Sequence, residues 1–95
     1  MAQFAIIAHD KPGALALRLA ARSAHLDYVG AHPSLVRLAG PMLNEAGESI
    51  GSLFLVEAAD IEAVRAFAAA DPYALAGLFE RVEIRAWRPT IGAVP

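Results

Sequence analysis

Leu35-Val-Arg-Leu-Ala-Gly-Pro-Met-Leu-Asn-Glu-Ala-Gly-Glu-Ser-Ile-Gly-Ser-Leu-Phe-Leu-Val-Glu-Ala58 decides the fold. Asn44-Glu-Ala-Gly47 carries the residues of a hairpin turn, so a strand over about Leu35 to Met42 pairs antiparallel with one over Ile50 to Ala58. In the second strand Ile50, Phe54 and Val56 share one face, while Leu53 and Leu55 take the other. A strand that is apolar on both sides is covered on both sides.

Outward from this hairpin the chain alternates element types. Gln3 to His9 is a short apolar strand, apolar on both sides like the one above, and Asp10-Lys-Pro-Gly13 ends it. A helix from about Gly13 to Val29 follows, rich in Ala, Leu and Arg, with Leu15, Leu19 and Leu26 in a narrow arc and Gly30 closing it. Gly40-Pro41 reads as a strand end, and Gly51 as a position of close backbone approach. Asp60 is placed to cap a second helix, Ile61 to about Ala70, with Glu62 in the first turn where the helix dipole favours a carboxylate. Asp71-Pro72 interrupts it, because proline cannot continue the hydrogen-bond ladder but suits the start of a new helical piece, here Pro72 to Leu78. A last strand, Arg81 to Arg88, alternates Val82, Ile84 and Ala86 against Glu83, Arg85 and Trp87, and a short tail with Pro and Gly follows.

The order is therefore βαββαβ, an α+β fold with a four-stranded antiparallel sheet. Two helices cover one face of such a sheet. In 95 residues nothing remains for the other face except the same sheet of a second molecule, so the sequence predicts a homodimer paired through its sheet faces, in the manner of a dimeric α/β barrel. The composition agrees: 57% of residues are hydrophobic and 19% charged, an apolar balance for one short domain, residues 1–95, that buries only ~65% of its unfolded surface.

Other features narrow the function. A net charge of −2 and a pI near 5.8 provide no basic field for nucleic acid. The apolar runs fall far short of the ~20 residues of a membrane span, and no signal-like segment opens the chain. Cysteine is absent, removing disulfides, thiolate chemistry and cysteine-ligated zinc. The expected location is the cytoplasm. His9, Asp10 and His32 lack the spacing of a preformed metal site; His9-Asp10 could line the functional pocket from a strand end, but reads first as a loop pair without a partner, and no metal is expected. No phosphate-binding or dinucleotide motif is present, so no cofactor is expected either.

The chemistry-bearing candidates are His25 and Asp71. An imidazole and a carboxylate in contact can move protons near neutral pH, because the carboxylate fixes the ring's tautomer and stabilises its cation. With 3.6 residues per turn, Arg18, Arg22 and His25 form a stripe bordering the leucines, a placement that leaves a histidine half-buried yet reachable. The plainer readings are a surface histidine on a solvated face and an Asp71 that only caps the next helix; capping uses one carboxylate oxygen and leaves the other free. Arg18 and Arg22 could hold a substrate carboxylate or enolate, and Ser52 and Tyr73 could offer hydroxyls.

The opening strand, Asp10-Lys-Pro-Gly-Ala-Leu, Arg18…Arg22-Ser-Ala-His25-Leu, Leu38-Ala-Gly-Pro41, Gly51-Ser-Leu and Ala70-Asp-Pro-Tyr…Ala-Gly-Leu-Phe79 together resemble the YciI-like (YCII-related) family over nearly the whole chain. The resemblance implies a ferredoxin-like fold, a dimeric α/β barrel and an active site built on a His and an Asp, here His25 and Asp71. It supplies no general substrate. Two functions stand side by side: a cofactor-independent enzyme using the His–Asp dyad for elimination or isomerisation of a small molecule, and a non-catalytic module of the same fold that binds a small ligand or another protein.

Overall fold

A computed structural model describes residues 1–92; the end of the tail, and with it the last three residues of the expected domain, lies outside the described residues. The elements are β1 (Ala2–Asp10), α1 (Leu15–Gly30), β2 (Val36–Leu43), β3 (Ser49–Ala58), α2 (Ile61–Ala69), α3 (Pro72–Leu75) and β4 (Phe79–Ala86). The strands form one antiparallel sheet in the order β2-β3-β1-β4, which with its helices gives the ferredoxin-like α+β fold. No described helix is long and apolar enough to cross a membrane.

Turn and cap chemistry sets the boundaries. Asn44 Oδ1 accepts the backbone N–H groups of Ala46 and Glu48, and Gly47 takes φ +83°, so the β2–β3 hairpin closes as its residues require. Asp60 caps α2 by accepting Ala63 N–H at 3.0 Å. Four elements have clearly different boundaries from the sequence reading. The first helix starts at Leu15 without a side-chain cap and runs through Gly30, with Ala31 as its C-cap. The third helix stops at Leu75 rather than Leu78, because Gly77 turns the chain with φ +76° and buries Leu78 completely. Strand β4 accordingly begins at Phe79 and ends at Ala86. Gly40-Pro41 does not end β2 but lies inside it; β2 is an edge strand, where a missing N–H breaks no ladder.

One sheet face carries Phe4, Ile6, Phe54 and Val56, and with Val64 and Phe67 of α2 they make the core. The other face presents Ile7, Leu53, Leu55 and Leu38, with Leu53 41% and Leu38 50% exposed. Gly51 sits where β3 passes close to its neighbours: a Cβ there would lie 2.5 Å from the Ala8 carbonyl oxygen and against the Met42 side chain.

The first helix turns an unexpected side inward. Its arc of Leu15, Leu19 and Leu26 is 37%, 63% and 48% exposed, whereas Arg18 and His25 are buried at 5% and 8%. The stripe next to the leucines faces the sheet. A polar side chain survives there only if fully partnered, and the partners define the site.

Candidate active site

His25 and Asp71 meet. Imidazole Nδ1 lies 2.9 Å and 3.1 Å from the two carboxylate oxygens, although 46 residues separate them. A carboxylate only accepts, so Nδ1 carries the proton and Nε2 is left as the basic nitrogen. Asp71 is 2% exposed and also caps α3, its Oδ1 accepting Tyr73 N–H at 2.8 Å. The Pro72 break therefore does two jobs. It stops α2, and it aims the capping carboxylate at α1.

The Tyr73 ring stacks on His25 at 3.9 Å between centroids, 14° from parallel, and the Arg18 guanidinium lies 4.7 Å over the same ring. Arg18 Nη1 donates to both Asp10 oxygens at 2.9 Å, and Nη2 donates to Ser52 Oγ at 2.7 Å. Of the two readings of Asp10, the loop without a partner fails and the strand end holds: Asp10 ends β1 and neutralises a buried cation. The alternation Phe4, Ile6, Ala8, Asp10 was the available signal, since it puts Asp10 on the helix-facing side. His9, one residue earlier, points to the opposite face and contacts Glu83 and Arg81, so it does not line this site. His32 bonds Tyr28 O through Nδ1. No cluster of potential metal ligands occurs among the described residues.

Between α1 and the β2–β3 side of the sheet lies a cavity of about 330 Å³. Arg18, His25, Ser52, Phe54 and Tyr73 form its floor, all buried; Arg22 stands exposed at its mouth with no ion-pair partner among the described residues. All six sequence-predicted residues are thus near one another, Asp71 behind His25 and the other five lining the space. Among the described residues no buried side-chain nitrogen or oxygen lacks a hydrogen-bond partner. His25 Nε2 and Tyr73 Oη make no hydrogen bond to the described residues, so both atoms remain open, and the space their side chains border is this cavity. Burial raises the Tyr73 phenol above its ordinary pKa, opposed by Arg18 and Arg22, so the hydroxyl stays neutral and able to donate.

A ferredoxin-like sheet with a buried imidazole–carboxylate pair beside a small-molecule-sized cavity defines the class. Residues 2–88 match the YCII-related domain, and the chain belongs to that family. It is 37% identical over 93 residues to Protein YciI of Escherichia coli O6:H1, covering 90% of this chain and 95% of that protein. Among solved structures it is similar to 5-chloro-2-hydroxyhydroquinone dehydrochlorinase (TftG) from Burkholderia phenoliruptrix AC1100 in complex with 2,5-dihydroxybenzoquinone. That likeness has a TM-score of 0.83 and 30% identity, over 90% of this chain and 93% of that one. An antibiotic biosynthesis monooxygenase at TM-score 0.58 and 12% identity, covering 96% of this chain and 100% of that one, shares the fold alone.

Proposed function

We propose that the chain, acting as one domain over residues 1–95, is a cofactor-independent enzyme in which His25, oriented by Asp71, transfers protons on a small hydroxylated ring compound. The observation that carries this is the His25–Asp71 contact at 2.9 Å with Nε2 left open beside the cavity. The dehydrochlorinase at 30% identity suggests a hydroxylated six-membered ring as the substrate class and elimination as the reaction.

The atoms balance without an external oxidant. Nε2 takes a ring hydroxyl proton and returns it to the ring carbon that bears the leaving group, giving a keto tautomer; that step alone is an isomerisation. Loss of a second hydroxyl proton then drives the substituent out as an anion. The ring is oxidised from hydroquinone to quinone while the C–X bond is replaced by C–H. Arg22 stabilises the ionised oxygen at the mouth, and Arg18 and Tyr73 offer donors at the floor. Ser52 Oγ accepts from Arg18 and keeps its own O–H to donate to the ligand.

The open sheet face pairs with a second copy, because Leu38, Leu53 and Leu55 otherwise stay in water, and each copy keeps its own site on the opposite, helix-covered face. The acidic balance favours a small-molecule partner over nucleic acid, and the cysteine-free sequence suits the cytoplasm.

The test is chloride release from 5-chloro-2-hydroxyhydroquinone by wild type and His25→Asn. A loss of about 10²-fold or more in the variant is expected. Equal rates would remove the dyad from the reaction, and ring binding without turnover in wild type would move the protein to the ligand-binding class.

A further inference from the structure

The mouth of the cavity is chemically unlike its floor. The floor presents Arg18, His25 and Tyr73, all at most 8% exposed. The mouth is largely apolar: Leu19 and Leu26 of α1, 63% and 48% exposed, flank the Arg22 cation on one side, and Ala39 and Pro41 of β2 form the other. Leucines this exposed beside a pocket leave apolar area in water that a bound molecule would recover. They lie on the helix-covered side of the sheet, so a copy docked on the open sheet face would not cover them.

The size of the space points the same way. An apolar cavity of ~150 Å³ holds a benzene-sized ring. The cavity here, at about 330 Å³, has room for roughly twice that. A single hydroxylated ring set on the polar floor, with an oxygen at His25 Nε2, leaves the outer half of the volume empty between the leucines and β2.

Building on the ring-binding proposal, we infer that the substrate carries an apolar substituent, alkyl or aryl, that lies in the groove between Leu19 and Leu26 on one side and Ala39 and Pro41 on the other. Leu19 and Leu26 are then specificity-determining residues: they discriminate substituted from bare rings and take no part in proton transfer. Arg22, on the same helix and also at the mouth, confines this preference to substituents without a positive charge.

Isothermal titration with 2,5-dihydroxy-1,4-benzoquinone and its 3-methyl, 3-propyl and 3-hexyl derivatives tests the inference. Affinity is expected to rise by about two- to fourfold per added methylene until the groove is filled. In the double variant Leu19→Ser/Leu26→Ser, whose positions are exposed and outside the core, most of that gain disappears while the bare quinone binds within about twofold of wild type. A flat series with the bare ring bound overturns this inference and leaves the ring-binding proposal standing. A gain that survives in the double variant also overturns it, because the substituent then lies elsewhere. Failure of every compound to bind overturns both.

Discussion

Asp71 performs two tasks whose energies separate by substitution. Its Oδ1 accepts Tyr73 N–H at 2.8 Å and faces His25 Nδ1 at 2.9 Å, while Oδ2 lies 3.1 Å from the same nitrogen. Asp71→Ala removes the cap, about 1 kcal/mol, and strands a buried imidazole N–H, about 1–3 kcal/mol more. At ~4–8 °C per kcal/mol for a domain of this size, the melting temperature should fall by roughly 8–32 °C. Asp71→Asn keeps an oxygen for the cap and loses only the charge-assisted part, about 1 kcal/mol or ~4–8 °C. Its amide N–H₂ replaces Oδ2 and faces Nδ1, which favours the tautomer protonated at Nε2, the wrong one for a base opening on the cavity. The assay is thermal unfolding at fixed protein concentration, since any self-association would make the melting point depend on it, together with ¹⁵N NMR of the His25 ring. The asparagine variant should melt only ~4–8 °C below wild type, with the His25 proton moved to Nε2. Equal melting points for the alanine and asparagine variants, or an unmoved proton in the latter, would refute this division of labour.

Gly51→Ala should destabilise by about 2–3 kcal/mol in urea unfolding, and Met42→Ala in the same chain should not restore it, because the obstacle includes the Ala8 carbonyl of the neighbouring strand. Burial raises the Tyr73 pKa above the ordinary tyrosine value of about 10, so in alkaline solution the folded state holds a proton that the unfolded chain releases. Its contribution is intact below pH about 10 and is lost as pH climbs past that value; Tyr73→Phe should flatten this alkaline limb of a stability–pH curve, and an unaltered limb would assign it to other groups. Leu53→Lys on the open sheet face should convert a dimer to monomer in sedimentation velocity at micromolar concentration while leaving the circular dichroism spectrum of the fold intact. A wild-type chain that already sediments as a monomer contradicts the pairing argument.

What could be read from the sequence follows the range of the forces involved. The β2–β3 hairpin, the two-sided strands and the caps at Asp60 and Asp71 depend on residues within about four positions of one another, and the structure has them where turn chemistry and alternation put them. The orientation of α1 does not yield to such a reading. Its leucine arc and its Arg18–His25 stripe have the same helical period, and propensity favours the leucines as the inward face; the stripe wins because Asp10, Ser52, Asp71 and Tyr73 converge on it from β1, β3 and the start of α3. Gly40-Pro41 was misread for a related reason, since a proline's tolerance inside a strand depends on which strand is the edge. A buried arginine and histidine at a helix–sheet contact contribute less to stability than leucines of similar volume would, and unpartnered they would unfold the contact. Their presence at that position, each satisfied on one side and neighboured by open cavity on the other, is the pattern expected where a fold gives up packing energy to hold a reactive group in place.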